Sequence, residues 1–87
     1  MTEASSRRLG ENLRAARLSA GLSPVQLAVA SDVHLATVTK VEQGTSLPSV
    51  STLLKLAFAL GRTASDLLAG VELPAPGPPR HSAHEIE

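Results

Sequence analysis

The sequence contains no cysteine, and it has a single aromatic residue, Phe58, and a single methionine, Met1. Without cysteine the chain can form neither disulfide bonds nor thiolate metal sites. No stretch approaches the roughly 20 apolar residues that a membrane-spanning helix needs, and the amino terminus lacks the apolar segment of a signal peptide. We therefore expect a soluble, cytoplasmic protein.

The apolar residues that are present are almost all Leu, Val and Ala, and hydrophobic residues make up 43% of the 87 residues. This length fits one domain with a compact aliphatic core. Such a core stabilises a small domain only marginally, so self-association would be a natural supplement.

Charge is distributed unevenly along a chain whose formal net charge is zero. Residues 7–70 contain seven basic and four acidic residues, a net charge of +3, whereas residues 71–87 contain one basic and three acidic residues, a net charge of −2. The body of the chain is thus weakly basic, short of the strongly basic surface that DNA-binding proteins often show.

Turn residues divide positions 7–70 into five short helical segments, and no alternating run is long enough for a strand, which predicts an all-α fold. We expect Ser5 or Ser6 to cap a first helix that ends near Gly21. Three arginines of this helix would face solvent: Arg7, Arg8 and Arg14. Its inner face would consist of Leu9, Leu13, Ala16 and Ala20.

The later helices have clear start signals. Ser23, Pro24 and Gln26 predict a capping box at the start of a second helix that runs to about Ala30. A tight connection through Asp32 and His34 precedes a third helix at 35–43, anchored inward by Val33, Val38 and Val41. Ser49 would cap a fourth helix with Val50, Leu53, Leu54, Ala57 and Leu60 at helical spacing. Thr63 and Asp66 would cap a fifth helix through Leu67 and Leu68.

The last segment, residues 71–87, contains four of the six prolines, which remove backbone donors and disfavour a helix. We expect this tail to be extended or disordered, and residues 7–70 to form the domain.

The order of short residue patterns from Leu9 to Leu68 resembles the Cro and phage-repressor-like helix-turn-helix family, also called the XRE family. No single pattern is specific, but their ordered combination is. The matching residues are Leu22-Ser23, Gln26-Leu27-Ala28, Val33, Val38, Val41-Glu42-Gln43-Gly44, Pro48-Ser49, Leu53-Leu54, Leu56-Ala57, Ala59-Leu60-Gly61 and Asp66-Leu67-Leu68.

The resemblance implies a five-helix, DNA-binding domain whose third helix is the recognition helix, lying in the major groove. It implies an ion pair between Arg17 and Glu42 that joins the first and third helices. The residues expected to contact bases are Leu35, Ala36, Thr39 and Lys40, and those expected to contact phosphates are Ser23, Thr37, Gln43 and Thr45.

Two positions depart from the family's common pattern. Pro24 stands where the family often has a Gln whose side chain and backbone amide address a phosphate, and proline has no amide donor. Asp32 replaces the usual turn Gly, at a position that tends to need a positive φ angle, and it adds a negative charge near the DNA-facing surface.

Each candidate residue also has a plainer interpretation. Leu35 and Ala36 can be simple helix formers or contacts to another protein, and Lys40 can be a solvated charge, as can the three arginines of the first helix. His81 and His84 have metal-ligand spacing but no further ligands at a defined distance. We find no catalytic set and no cofactor motif.

The sequence therefore predicts a transcriptional regulator that binds double-stranded DNA specifically, as a homodimer reading two half-sites, and that is not an enzyme. The alternative is a protein-interaction module, antitoxin-like or regulator-binding, with secondary DNA binding. The weak basic charge and the apolar pair Leu35 and Ala36 favour that alternative.

Overall fold

In the computed structural model, which describes residues 3–72, the chain forms five helices and no strand within that range. The predicted all-α fold is confirmed. No helix among these residues is long and apolar enough to cross a bilayer. The tail beyond residue 72, with His81 and His84, lies outside the described residues. The helices are α1 (Glu3–Ser19), α2 (Pro24–Ser31), α3 (Leu35–Glu42), α4 (Val50–Ala59) and α5 (Ala64–Leu67).

The start of α1 differs from the prediction. The helix begins at Glu3, so neither Ser5 nor Ser6 is its N-cap. Ser5 is instead buried inside the helix, and its hydroxyl donates a hydrogen bond to the carbonyl of Glu72. The expectation that Ala20 lies on the inner face of α1 is also wrong, because Ala20 follows the end of α1 and is exposed. Ser5 therefore makes a contact to a residue far away in the sequence and does not cap the helix.

The capping signals of α2 and α5 predicted their starts correctly. The Ser23 side chain accepts a hydrogen bond from the Gln26 amide, and the Gln26 side chain accepts one from the Ser23 amide. Thr63 and Asp66 form the same reciprocal pair at the start of α5. These hydrogen bonds satisfy amides that have no partner within a helix, so they stabilise the start of each helix.

The α4 helix is capped by Ser49 as predicted, but only part of its apolar set is buried. Leu56, Ala57 and Leu60 belong to the core, and Leu53 packs partly against it. Val50 and Leu54, which were expected on the same inner face, are exposed. The segment is apolar on two adjacent sides, and helical spacing alone did not distinguish the side that faces the core.

The core lies where the five helices meet and is entirely aliphatic, as the composition predicted. The main contacts between helices pair α1 with α3 and α5, α2 with α3 and α4, and α4 with α5. Its fully buried large side chains are Leu9, Leu13, Leu27, Leu56, Leu67, Val38 and Val41.

A second set of contacts holds α5 and the residues after it against α1. The Asn12 side chain donates to the carbonyls of Leu67 at 2.8 Å and Ala69 at 2.7 Å. The Leu67 carbonyl is at the end of α5, where no intrahelical donor is available, and the Ala69 carbonyl lies two residues beyond it. Val71 packs against the core beyond them. Residues just before and just after the predicted domain, residues 7–70, thus pack against it.

Candidate nucleic-acid interface

The orientation of α3 is fixed by two valines that are buried completely. Val38 is 0% and Val41 is 1% exposed, and both belong to the central core. Because they lie three residues apart on one side of the helix, they leave the opposite side of α3 facing away from the protein. This outer face is the surface available for a macromolecular partner.

The four residues expected to contact bases lie together on this outer face. Leu35, Ala36 and Lys40 are exposed and Thr39 is half-buried. Gln43 follows Thr39 by four residues and is exposed on the same side. The exposed surface therefore combines an apolar end at Leu35 and Ala36 with a cationic and amide end at Lys40 and Gln43.

Thr39 has one hydrogen-bonding capacity left for a partner. Its hydroxyl donates within the helix to the carbonyls of Leu35 at 3.2 Å and Ala36 at 3.0 Å. The hydroxyl oxygen can still accept a hydrogen bond. Thr39 is thus suited to the amino groups of adenine or cytosine and not to the carbonyl oxygens of guanine or thymine.

The four residues expected to contact phosphates are less uniform. Ser23 uses its oxygen as an acceptor for the Gln26 amide, which leaves its hydroxyl proton for an outside acceptor. The Thr37 hydroxyl has no hydrogen bond among the described residues, but it lies on a flank of α3 and not on the outer face. Thr45 donates to the Lys40 carbonyl at 3.1 Å, so it must give up this bond before it can donate to a phosphate.

The predicted partners Arg17 and Glu42 form a bidentate ion pair between α1 and the end of α3. Arg17 Nε donates to Glu42 Oε2 at 2.6 Å, and Nη2 donates to Oε1 at 3.0 Å. Nη1 donates to the Leu22 carbonyl at 2.9 Å, a third contact that the sequence did not indicate. The hydrogen bonds to Glu42 raise the pKa of Arg17 above its ordinary value, although the Arg17 side chain is only 7% exposed.

Two glycines, Gly10 and Gly44, bring α1 close to the end of α3, a role that the sequence did not indicate for either residue. A Cβ atom on Gly10 would overlap the Val41 carbonyl oxygen and lie 2.7 Å from that of Glu42. Gly44 has a φ of +78°, and a Cβ there would lie 3.0 Å from the Arg7 Cα. A glycine within an otherwise good helix-forming sequence was the available signal for Gly10. Both are positioning residues for α3.

The two departures from the family pattern have defined local consequences. Asp32 has a φ of 58° and ends α2 in the left-handed conformation, as expected for a residue at the usual glycine position. Pro24 is the first residue of α2 and has no amide to offer at that helix end. Ser23 is therefore the exposed residue at this helix start with a hydroxyl proton to donate.

Positive charge on the outer face of α3 is modest and is carried by Lys40. Lys40 makes no ion pair among residues 3–72, and the Arg7 backbone lies directly against Gly44, just beyond the end of α3. Glu42, the acidic residue of α3, is occupied by Arg17. The outer face of α3 therefore presents the positive charge of Lys40, while the turn before α3 carries an exposed negative charge at Asp32.

Comparison with known families identifies the class of protein to which this arrangement of helices belongs. A family model described as a helix-turn-helix domain matches residues 8–69, which is more than half of the chain. The chain belongs to the helix-turn-helix domain family. Its two-helix motif is α2 and α3, joined by the turn at Asp32. The family resemblance that the sequence patterns indicated is confirmed.

Three relatives refine the family assignment. The helix-turn-helix chain is 38% identical over 65 residues to the HTH-type transcriptional regulator DdrOP3 of Deinococcus deserti, covering 75% of this chain and 50% of the relative. It thus spans about half the length of that curated relative. The restriction-modification controller protein C.AhdI of Aeromonas hydrophila is 36% identical, with a TM-score of 0.71, over 74% of this chain and 97% of that one.

The clp gene regulator ClgR of Corynebacterium glutamicum is 31% identical to this helix-turn-helix chain, with a TM-score of 0.70, over 75% of this chain and 69% of that one. The family and fold are therefore those of XRE-like, DNA-binding transcriptional regulators.

Proposed function

We propose that this helix-turn-helix protein regulates transcription by inserting α3 into the major groove of a specific DNA site. The observation that carries the proposal is the outer face of α3, where Leu35, Ala36, Thr39 and Lys40 lie together opposite the buried valines. A helix held by its inner face and free on its outer face fits the groove of B-form DNA.

Each residue of the outer face has a role in this proposal. Lys40 reads guanine O6 or N7, and Leu35 and Ala36 contact thymine methyl groups. Thr39 accepts a hydrogen bond from a base amino group, because its proton is held within the helix. A site recognised in this way contains guanine, thymine and an amino-bearing base next to one another.

Phosphate contacts from the flanks of α3 would fix its position without reading sequence. Ser23 and Thr37 have hydroxyl protons to donate, and Gln43 offers an exposed amide. Thr45 contributes only if its hydroxyl leaves the Lys40 carbonyl. We further propose that the protein binds as a homodimer with half-sites about 34 Å apart, one turn of the duplex.

The test of Lys40 compares two exposed lysines. DNA fragments selected by the wild-type protein give the site, and Lys40→Ala is measured on that site and on single-base variants. We expect Lys40→Ala to cost about 1–3 kcal/mol at one base position. Lys55→Ala, an exposed lysine on α4, is the control and should change affinity little. A uniform loss on all sequences with a shallower salt dependence would make Lys40 a phosphate contact.

The alternative function is a protein-interaction module with secondary DNA binding. The observation that favours it is apolar exposure near the helix-turn-helix, where Val25, Val29 and Leu35 are 55%, 78% and 42% exposed. Absence of any sequence-dependent DNA binding, together with a stoichiometric protein complex that Leu35→Ser disrupts, would support this function instead.

A further inference from the structure

The α4 helix carries three large apolar residues that the rest of the described chain does not cover. Val50, Leu54 and Phe58 are 73%, 53% and 88% exposed. They lie four residues apart, so they follow one another along one side of the helix, and we call them the α4 stripe. Phe58 is the single aromatic residue of the sequence. A contiguous apolar surface of this kind marks an interaction site.

The spacing of the α4 stripe is symmetrical about Leu54. If a second helix of the same sequence lies antiparallel against it, a two-fold axis at Leu54 places Val50 of each copy opposite Phe58 of the other. The smallest side chain then meets the largest, and Leu54 meets its own copy. The stripe therefore has the self-complementarity that an isologous contact requires.

The charges around the α4 stripe allow this contact. Lys55 is the single charged residue of α4, and it is exposed. It follows Leu54 by one residue, which turns it about 100° away around the helix. Its ammonium group can stay in water at the edge of the contact. Two copies can thus bury the stripe without burying a charge.

The size of the α4 stripe also fits a reversible dimer. From the exposed fractions and the roughly 150–250 Å² that an aromatic side chain offers, the stripe exposes on the order of 400 Å² of apolar surface. Two copies would bury about 800 Å² in the centre of the contact, and a surrounding polar rim would bring the total to about 1,200 Å², the lower end for specific interfaces.

The α4 stripe leaves the proposed DNA surface accessible. The main packing partners of α4 are α2 and α5, whereas those of α3 are α1 and α2. A second copy placed on α4 therefore does not cover the outer face of α3. Both recognition helices of such a dimer remain available to DNA.

We propose that the α4 stripe is the contact surface of a homodimer, with the two α4 helices antiparallel and Leu54 at the two-fold axis. This inference rests on the proposed dimeric mode of DNA binding and assigns it a surface. Association is measured without DNA, so failure of the inference can be distinguished from failure of DNA binding.

The test uses two charge substitutions, Val50→Asp and Phe58→Lys, and analytical ultracentrifugation. An acidic residue in the first turn and a basic residue in the last turn both suit the helix dipole, so α4 should remain folded. The wild type should dimerise, and each variant alone should associate about 30-fold more weakly or worse, the loss typical of a central contact residue. Mixed in equal amounts, the two variants should form a heterodimer, because Asp at position 50 then faces Lys at position 58.

Matched controls use apolar residues of similar exposure on other helices. Val29→Asp on α2 and Leu18→Lys on α1 replace side chains that are 78% and 55% exposed, and both variants should dimerise like the wild type. Should a variant fail to fold, Leu54→Glu provides a second disruption at the axis. A monomeric wild type, or variants that associate normally, would overturn the proposal. Loss of association only on truncation after Glu72 would also overturn it and assign assembly to the tail.

Discussion

Arg17 carries a positive charge that one acidic residue, Glu42, balances. Its side chain is nearly buried, and a guanidinium cannot lose its proton to escape that environment. Glu42 supplies the opposite charge with two short hydrogen bonds. Since Glu42 is the last residue of α3, this pair fixes the carboxyl end of the proposed recognition helix relative to α1.

Glu42→Gln should therefore lower the free energy of unfolding by about 3 kcal/mol, because a buried positive charge loses its counter-charge. Chemical denaturation measures the change, and Glu11→Gln, at an exposed position of α1, is the control that should have little effect. Combining Glu42→Gln with Arg17→Met should cost less than the two single changes added together. Equal stability of Glu42→Gln and wild type would show that the ion pair does not hold the helices together.

At the scale of one helix, the position of α1 against α3 depends on Gly10, which has no side chain. Gly10 has the Val41 and Glu42 carbonyl oxygens where its Cβ would be, and these atoms belong to backbone, which cannot move aside cheaply. In an exposed helix, glycine would be the poorer choice by about 1 kcal/mol relative to alanine. Close packing against α3 outweighs that preference here.

Gly10→Ala should accordingly destabilise the domain by about 2–3 kcal/mol, opposite in sign to its effect on helix propensity. Ala15→Gly, at an exposed site on the same helix, should cost only the propensity difference of about 1 kcal/mol. Thermal and denaturant unfolding give both values. A stabilised Gly10→Ala variant would mean that α1 can move away from α3 without loss.

The short α5 helix depends on a capping carboxylate. Hydrogen bonds from the Thr63 backbone and then its side chain lower the pKa of Asp66 below the ordinary value of 3.8. A lowered pKa in the folded state means that the carboxylate stabilises the fold above the pKa of the unfolded chain. This stabilisation is lost as the pH falls through the folded value.

Asp66→Asn keeps an acceptor at the cap but removes the titration. The melting temperature of this variant should fall less than that of the wild type between pH 6 and pH 2. Ser65→Ala, at the exposed neighbouring position, should retain the wild-type acid dependence. If Asp66→Asn and the wild type lose the same number of degrees on acidification, Asp66 does not contribute to acid unfolding.

The starts and ends of the helices show which parts of the fold the sequence determines locally. Ser23, Thr63 and Asp32 act on residues within four positions of themselves, and all three were predicted correctly. Asn12 and Ser5 contact residues more than fifty positions away, and no local pattern indicates such partners. The core face of α4 was ambiguous for the same reason, since Leu54 and Leu56 have equal hydrophobicity and only packing distinguishes them.

For the candidate site, the sequence predicted which residues share the outer face of α3, because the buried positions of Val38 and Val41 fix the rotation of the helix. It did not predict that the hydroxyls of Thr39 and Thr45 donate to backbone carbonyls. Threonine side chains can donate to a neighbouring carbonyl or to a partner, and the choice depends on local geometry.

At the scale of the whole molecule, the residues after α5 divide into a packed part and the tail. Val71 packs against the core and the Glu72 carbonyl accepts a hydrogen bond from Ser5. Truncation after Glu72 should therefore leave the free energy of unfolding unchanged, whereas truncation after Gly70 should lower it by about 1–2 kcal/mol. Equilibrium unfolding of the two shortened chains gives the answer. A large loss on removing only residues 73–87 would mean that the tail packs on the domain.

The hydrogen bond between Ser5 and Glu72 brings the two ends of the described domain to the same place. A domain whose ends meet can be spliced into a surface loop of a host protein, because the host chain enters and leaves at neighbouring points. For the same reason its ends can be joined by a short linker and new ends opened at an exposed turn such as Gly21 or Gly61, which have open space around them. The order of the five helices along the chain would change while the recognition surface stayed the same.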